Sequence, residues 1–457
     1  MVQEIHPLRV AKNAKQLYVT RRKGRVILNR KAIVLTLGCR LNTADSALLV
    51  SRLAEAGYEV AESAEKAALA VVNSCTVTAE AARKSRQAVR KLRATHPEAV
   101  IVVTGCSAEL DRDAFLTDGA ADVVLSNPEK RSLPELVLEY LAGRTDPGGA
   151  ARSSEEPITP FRERAFGSFP FRSRAFLKIQ EGCNNFCSYC IVPYARGPER
   201  SRAFDEVLAD CRRAVADGFP ELVLTGVNTC AYSDAGRGLG ELVHAVAGID
   251  GDFRIRLSST EPAPDNRGLL DVMASEPKVC RFLHLALQHG SNRILKLMNR
   301  HYTTDEYAAF VEAAREKIPG IHLGSDLIVG FPGETEADFE ESRRFVEAMA
   351  FANLHIFTYS PRSGTPAASF PGRVPAAEAK SRYRRLAATA AESKRRFVES
   401  QCGAFLPVIF ERVDSGGFAR GWSDNYLELR VPAGTVPLNR IVPVEATAEN
   451  TASNLET

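Results

Sequence analysis

The first third of the chain alternates short apolar runs with segments that carry apolar residues at helical spacing. One such segment covers residues 79–93 and follows an apolar run and a short polar stretch. This alternation predicts a parallel sheet covered by helices, in a domain over residues 32–145. The predicted strands are residues 32–37, 69–72, 100–103 and 123–125.

A second strand and helix series follows a linker predicted over residues 146–168, which is rich in Gly, Pro and Ser. Because eight strands close a full barrel, six units predict an incomplete barrel, open along one side to a large substrate. This central domain is predicted over residues 169–400. Its predicted strands are residues 175–180, 222–226, 253–257, 282–288, 322–329 and 352–357.

The last part of the chain has a different pattern. A long basic helix is predicted from Pro375 to about residue 400, and short alternating segments broken by turn residues follow it. These segments predict a small antiparallel β-barrel over residues 401–457. The fold class is therefore α/β, with an open parallel domain, a partial (β/α)6 barrel and a terminal β-barrel.

Composition supports an ordinary globular protein. The 457 residues are 45% hydrophobic and 25% charged, which favours two to four domains and excludes a disordered chain. No apolar run reaches the roughly 18 residues that cross a bilayer, so no membrane partner is expected and a cytoplasmic location is the default. The net charge of +3 does not by itself indicate nucleic-acid binding.

The start of the chain is strongly basic. Residues 1–31 carry nine Lys and Arg side chains and one acid, Glu4. This N-terminal extension is interpreted either as a basic arm or as a solvated tail.

The ten cysteines of a cytoplasmic-looking chain indicate metal or redox chemistry more than disulfides. The sharpest pattern is CxxxCxxC, formed by Cys183, Cys187 and Cys190 just after the first predicted strand of the central domain. Three thiolates hold three corners of a [4Fe-4S] cluster and leave one iron open to chelate S-adenosylmethionine. A structural zinc site needs four ligands, and no fourth Cys or His lies nearby.

A second trio is dispersed along the first domain. Cys39, Cys75 and Cys106 each follow a predicted strand, and the carboxyl ends of parallel strands are where ligands gather. The trio predicts a second cluster with its own open iron, although free cysteines at strand ends are also common as small buried residues. The other four cysteines show no ligand spacing, and they are Cys211, Cys230, Cys280 and Cys402.

Together these motifs resemble the methylthiotransferase family of radical S-adenosylmethionine (SAM) enzymes, from residue 32 to the end. The supporting segments are residues 224–228, 257–262, 284–303 and 326–334. The resemblance implies that Cys183, Cys187 and Cys190 hold the radical-generating cluster, and that the dispersed trio holds an auxiliary cluster carrying the transferred sulfur. It also implies a set of SAM contacts, namely Tyr189, Gly226, Asn228, Ser258, Ser259, Ile328 and Gly330.

The resemblance further implies partners. The terminal barrel is similar to a TRAM domain, which binds RNA in this family, so a tRNA anticodon stem-loop is the expected substrate. A flavodoxin-like or ferredoxin-like electron donor and a sulfur source are also implied.

The segments at residues 36–42, 73–80 and 84–87 are most similar to the MtaB-type branch of the family. That branch adds a methylthio group to C2 of N6-threonylcarbamoyladenosine at tRNA position 37. Other branches act on N6-isopentenyladenosine or on an aspartate of a ribosomal protein, and both stay open as alternatives. A metal-stabilised RNA-binding protein without catalysis is the rival from another class.

One segment departs from the family pattern. The family commonly has His-Leu-Pro-Leu-Gln-Ser-Gly where this chain has residues 284–290, with Ala286 in place of the proline and His289 in place of the serine. The departure affects the details of the cofactor pocket and neither cysteine trio.

Overall fold

The computed structural model describes residues 20–22, 25–27, 30–61, 66–117, 119–141, 173–262 and 267–455. Most of the predicted basic extension and the predicted linker lie outside these residues. The chain forms two compact units. The first covers Met1–Leu37, Leu49–Cys75 and Arg83–Ser153, and the second covers Gly38–Leu48, Thr76–Ala82 and Ser154–Thr457. The boundaries predicted for three domains stay a prediction.

The first unit contains a five-stranded parallel sheet with the strand order β4-β3-β5-β6-β7, and a separate antiparallel pair, β1 and β2. The strands are β1 (Thr20–Arg22), β2 (Arg25–Ile27), β3 (Lys31–Thr36), β4 (Glu59–Ala61), β5 (Leu69–Ser74), β6 (Val100–Gly105) and β7 (Val123–Val124). The helices that lie wholly or partly in this unit are α1 (Arg40–Glu55), α2 (Ala79–Thr95), α3 (Cys106–Leu110), α4 (Asp113–Leu116) and α5 (Leu133–Leu141).

All four strands predicted in this region are confirmed. Successive side chains of strand β5 pack into two different hydrophobic clusters. Leu69 and Val71 belong to one cluster, whereas Ala70 and Val72 belong to the other. Burial on both faces explains its continuous apolar run. Strand β4 was missed, since its three residues give too short a pattern.

The second unit contains two parallel sheets that follow one another along the chain, with the orders β8-β11-β14 and β15-β16-β17-β18. The strands are β8 (Arg174–Lys178), β9 (Gln180–Glu181), β10 (Arg200–Ser201), β11 (Glu221–Thr225), β12 (Ser233–Asp234), β13 (Arg237–Gly238), β14 (Arg254–Leu257), β15 (Ser259–Thr260), β16 (Phe282–Leu285), β17 (His322–Val329) and β18 (Asn353–Thr358). The helices are α6 (Val192–Arg196), α7 (Phe204–Ala216), α8 (Leu239–Ala247), α9 (Arg267–Ser275), α10 (Asn292–Leu297), α11 (Thr304–Lys317) and α12 (Glu336–Met349).

The six strands predicted for the central domain are confirmed as β8, β11, β14, β16, β17 and β18. Only Ser258 separates β14, an edge strand of the first sheet, from β15, an edge strand of the second. Between the described residues of β8 and β18 there is no strand pairing. The architecture is therefore α/β with parallel sheets and no closed barrel.

The C-terminal part begins with the predicted long helix, α13 (Ala376–Gln401). An antiparallel sheet follows it, with the order β21-β20-β19-β22. Its strands are β19 (Phe405–Val413), β20 (Phe418–Ser423), β21 (Glu428–Pro432) and β22 (Ile441–Glu445). The alternation predicted the antiparallel strands correctly, while closure into a barrel stays a prediction because the described strands β21 and β22 are both edges. No described helix combines the length and the apolar character needed to cross a membrane.

Helix α13 carries less free positive charge than its sequence suggests. Arg382 is buried against Glu334, and Arg385 and Arg395 pair with glutamates on their own or a neighbouring helix. Lys380 and Arg384 stay exposed. Ion pairing thus neutralises much of the positive charge of this helix.

Candidate active site

The CxxxCxxC loop begins directly after strand β9. At Gly182 the backbone adopts a positive φ of 75°, and a Cβ atom there would lie 1.9 Å from the carbonyl oxygen of Pro198. Only glycine fits this close approach. The turn directs the chain from the strand end into the loop that carries Cys183, Cys187 and Cys190.

The three thiols lie within electrostatic reach of one another. Burial is the main cause that raises the pKa of Cys183 to about 11, and the neighbouring Cys187 contributes to the same increase. Burial raises the pKa of Cys190 to about 12, with further contributions from Cys187 and Cys183. The Cys190 amide donates to the Cys187 carbonyl at 2.9 Å, which closes a tight turn between these two residues. Three crowded, desolvated thiols fit a metal cluster, whose positive charge compensates the thiolates.

The end of helix α10 and the residues that follow it are hydrogen-bonded to this loop. Ser188 donates from its amide to the Met298 carbonyl at 3.0 Å and from its hydroxyl to the Leu297 carbonyl at 2.8 Å. The Asn299 side chain donates to the Asn185 carbonyl at 2.9 Å. These bonds fix the loop backbone without using a thiol.

Arg300 is a site residue that the sequence reasoning did not single out. Its guanidinium donates to the Cys187 sulfur at 3.3 Å and pairs with Glu261 at 2.9 Å. It also donates to the Ala286 carbonyl at 3.2 Å, which the Tyr302 hydroxyl contacts at 2.5 Å. A buried cation beside a sulfur stabilises the thiolate form. One indication of this role was present in the sequence, since Arg300 lies within segment 284–303, which supports the family resemblance.

Gln180 is the second residue that was missed. Its side-chain oxygen accepts hydrogen bonds from the amides of Val227 and Asn228 at 2.9 and 3.0 Å. Its side-chain nitrogen donates to the Gly182 carbonyl at 2.8 Å. Because a Cβ on Gly226 would lie 2.8 Å from the Gln180 oxygen, glycine is required there. One buried carboxamide therefore joins the cysteine loop to the loop after β11.

We expect Gln180→Leu to weaken SAM binding about tenfold while the iron content stays near that of the wild type. The substitution leaves two loop amides without their acceptor, at a cost of about 1–3 kcal/mol for each one that stays buried. Equilibrium dialysis with SAM on anaerobically reconstituted protein measures the affinity. Gln87→Leu, at an exposed position of α2, is the matched control, and unchanged SAM affinity in Gln180→Leu would contradict the role.

The predicted SAM contacts lie at strand ends of the second unit. Gly226 follows β11, Ser258 follows β14, and Gly330 follows β17 with a positive φ of 74°. The Asn228 side-chain oxygen and the Ser258 hydroxyl are both buried without a hydrogen-bond partner among the described residues. Buried polar atoms without partners are expected where a polar ligand binds.

The remaining predicted contacts divide into two groups. Tyr189 packs against a hydrophobic cluster that contains Ile328 and Phe331. Ser259, in contrast, is exposed on β15, and its carbonyl accepts from the Thr229 hydroxyl at 2.8 Å. The structure thus brings Tyr189 and Ile328 together, and the roles assigned to these residues stay predictions.

In the first unit, two of the three dispersed cysteines lie at neighbouring strand ends. Ser74 and Gly105 are paired in the parallel register, so Cys75 and Cys106 follow equivalent positions of β5 and β6. A Cβ on Gly105 would lie 2.4 Å from the Ser74 carbonyl oxygen, so glycine permits this approach. The pair fits two ligands of a common group.

Ser85 positions Cys75. Its hydroxyl accepts from the Cys75 amide and donates to the Cys75 carbonyl, both at 3.0 Å. The third cysteine, Cys39, is exposed, lies three residues past the end of β3 and belongs to the second unit. Cys75 and Cys106 are buried, and their partnership with Cys39 stays a prediction.

The four other cysteines form no cysteine cluster among the described residues. Cys211 belongs to the main hydrophobic core, and Cys230 packs against that core. Cys280 is buried, and Cys402 is exposed.

A buried charge cluster ties residues 38–48 to the cysteine loop within the second unit. Asp45 of α1 pairs with Lys178 at 2.7 Å and with Arg196 at 3.1 Å. Glu181 pairs with the same two cations, at 3.3 and 2.8 Å. Because Glu181 is two residues before Cys183, these pairs fix the start of α1 against the loop.

The departure at residues 284–290 has a structural consequence. The Ala286 amide donates to the Thr260 carbonyl at 3.2 Å, a bond that proline cannot make. His289 is buried, and its Nδ1 accepts from the Ser291 amide at 3.1 Å. Ala286 therefore adds a backbone hydrogen bond that the proline of the common family sequence cannot make.

Comparison with known proteins places these features in one family. The Radical SAM superfamily matches residues 177–346, and the Uncharacterized protein family UPF0004 matches residues 31–126. The chain is 37% identical over 410 residues to the threonylcarbamoyladenosine tRNA methylthiotransferase MtaB of Chlamydia pneumoniae, covering 89% of this chain and 93% of that protein. It is 36% identical over 429 residues to the tRNA-2-methylthio-N(6)-dimethylallyladenosine synthase of a Cereibacter sphaeroides strain, covering 92% and 96%.

Among solved structures, the radical SAM methyltransferase TsrM of Kitasatospora setae has a similar fold. The TM-score is 0.53 at 17% identity, and the match covers 74% of this chain and 75% of that chain. Since the two kinds of tRNA-modifying relatives are about equally identical to this chain, overall identity does not choose between their substrates.

Proposed function

The chain belongs to the radical SAM methylthiotransferase family, and from this premise we propose that it adds a methylthio group to C2 of N6-threonylcarbamoyladenosine at position 37 of tRNA. The observation that carries the proposal is the loop with Cys183, Cys187 and Cys190 at the strand-end edge of an α/β domain, in a chain similar to MtaB proteins over about nine-tenths of its length. SAM and [4Fe-4S] clusters are its cofactors.

Cys183, Cys187 and Cys190 would hold the first cluster, with Arg300 supporting the thiolate of Cys187. When bound there, such a cluster supplies the electron that cleaves SAM into a 5'-deoxyadenosyl radical. Radical chemistry suits the reaction because the hydrogen on C2 of adenine is not acidic. The chain's own task is to hold SAM, and Gln180 does so indirectly by fixing the loop over residues 226–228.

The predicted SAM contacts would divide by chemistry. The unpartnered oxygen of Asn228 and hydroxyl of Ser258 suit the polar parts of the cofactor, and Gly226 leaves room for a close approach. Tyr189 and Ile328 offer an apolar surface for the adenine. Gly330 follows β17, and Ser259 begins β15.

Cys39, Cys75 and Cys106 would hold the auxiliary cluster, which carries the sulfur for transfer. The equivalent strand-end positions of Cys75 and Cys106 and the clamp by Ser85 support this assignment. A sulfur source and a flavodoxin-like or ferredoxin-like electron donor would serve the two clusters.

The tRNA would be held by its anticodon stem-loop. The target base must leave its stack to reach the site, as bases of single-stranded loops do when proteins bind them. We propose that the C-terminal antiparallel sheet is a TRAM-like RNA-binding domain, that the six central strands form an incomplete barrel, and that the enzyme works in the cytoplasm with tRNA.

Nucleoside mass spectrometry of bulk tRNA tests this function. Deleting the gene should remove 2-methylthio-N6-threonylcarbamoyladenosine and leave the unmethylthiolated nucleoside in its place, and the wild-type gene should restore the product. Loss of the methylthiolated isopentenyladenosine instead, or of a modified ribosomal-protein aspartate, would assign the enzyme to another branch.

A further inference from the structure

Strands β16, β17 and β18 present a polar surface on the side opposite the hydrophobic core. Leu283 and Leu327 belong to the core, so the alternate residues His284 and Asp326 lie on the other side, together with His355 of β18. We call this side the inner face. The ligand atoms of its three polar residues lie within 4.8 Å of one another, and His284 pairs with Asp326 at 3.0 Å.

Arg40 reaches the same face from the start of helix α1. Its guanidinium carbon lies 5.3 Å from the ring centroids of both Phe282 and Tyr426, and one of its nitrogens donates to the Leu257 carbonyl at 3.4 Å. Phe282 lies on the inner face two residues before His284. Over the described part of the chain, Arg40 forms no ion pair with a carboxylate.

Arg40 acts electrostatically on both His355 and Tyr426. Burial lowers the pKa of His355, and His284, Arg40 and Lys394 lower it further, although Asp326 opposes them. Burial raises the pKa of Tyr426, yet nearby cations that include Arg40 bring it below its ordinary value. Asp326, the carboxylate that the described strands place on this face, already pairs with His284, and Arg40 is bonded to the Leu257 carbonyl and the Tyr426 side chain rather than to a carboxylate.

We propose that Arg40, assisted by His355, binds the carboxylate on the N6 substituent of the target adenosine and thereby selects threonylcarbamoyladenosine over isopentenyladenosine. This inference rests on the proposed function. A guanidinium presents a planar pair of donors that matches a carboxylate. An isopentenyl group would instead desolvate Arg40 and His355 without giving them a partner, which is unfavourable. Arg40 is thus a specificity-determining residue rather than a catalytic one.

The test uses two synthetic anticodon stem-loops of one sequence, with threonylcarbamoyladenosine or isopentenyladenosine at position 37. For the first RNA we expect Arg40→Gln to raise KM about 100-fold, the loss typical of a desolvated charge pair, with kcat changed less than threefold. His355→Gln should raise KM about tenfold. Lys380→Gln, which removes an exposed cation of α13, is the matched control and should leave KM within about threefold.

Because Arg40 follows Cys39, iron content and 5'-deoxyadenosine formation without RNA are measured on each variant. If Arg40→Gln lowers the iron content, the KM of His355→Gln becomes the test of carboxylate binding. His355 lies on β18, far from Cys39 in sequence. Unchanged KM in the decisive variant would overturn the inference. Failure of the wild type to modify the threonylcarbamoyl RNA would overturn the proposed function itself, which is a separate result.

Discussion

Cys187→Ala should abolish SAM cleavage, with 5'-deoxyadenosine falling to the level without enzyme. Cys187 is buried at the centre of the loop, influences the pKa values of both other loop thiols and accepts a hydrogen bond from Arg300. With only two thiolates left, the loop lacks the ligands for a cluster with one open iron. Liquid chromatography of anaerobic reactions measures the nucleoside, and iron content should fall by about four per chain from about eight.

Cys75→Ala should behave differently. We expect 5'-deoxyadenosine formation to persist within about threefold, with no methylthiolated RNA, because Cys75 belongs to the first unit and the loop thiols to the second. Its iron content should also fall by about four. Cys402→Ala, at an exposed cysteine without a proposed role, is the control for both variants. Equal loss of cleavage in Cys75→Ala and Cys187→Ala would contradict the division of labour between two clusters.

The cysteines changed in these two variants were both predicted as cluster ligands from the sequence alone. The trio at Cys183, Cys187 and Cys190 is local in sequence, so its spacing alone supports the prediction of a cluster, and the role of each cysteine stays a prediction. Cys75 and Cys106 were predicted because apolar runs locate strands and parallel strands align their carboxyl ends, which the register of Ser74 with Gly105 bears out. Both predictions therefore rested on short-range patterns in the sequence.

The roles of the polar residues that organise the site could not be predicted from the sequence. Gln180 contacts Asn228, 48 positions away, and Lys178 contacts Asp45, 133 positions away. Nothing in local periodicity distinguishes these buried polar residues from solvated ones, since their burial depends on how distant elements pack. The basic helix shows the converse, because the sequence pattern gives no sign that the cation of Arg382 is buried in ion pairs.

A similar limit applies to the C-terminal sheet. Alternating apolar residues predicted its antiparallel strands, but not the contacts that attach it to the central strands, several of which come from arginines of β14. Arg254 donates to the carbonyls of Pro407 and Trp422, and Arg256 donates to those of Ser423 and Asp424. One buried carboxylate, Glu221 of β11, holds both guanidiniums in place, at 2.6 and 3.0 Å.

Glu221→Gln should destabilise the second unit by about 3–5 kcal/mol, because it leaves buried guanidiniums without their counter-charge. Trp422, the only tryptophan, accepts from Arg254 through its carbonyl and so reports on this junction by fluorescence during urea unfolding. We expect the unfolding midpoint to fall by about 1 M or more. Glu392→Gln, which breaks only exposed pairs of α13, is the control and should not shift the midpoint measurably.

The same substitution should also change the pH dependence of stability. Burial raises the pKa of Glu221, but Arg256, Arg254 and Arg174 outweigh it and hold the pKa well below the ordinary value of 4.5. A carboxyl whose pKa is depressed by folding contributes its full stabilisation above the unfolded pKa and loses it as pH falls towards the folded one. The wild type should therefore lose stability below about pH 4.5 more steeply than Glu221→Gln. Parallel pH profiles of the two proteins would show that the carboxylate has no such role.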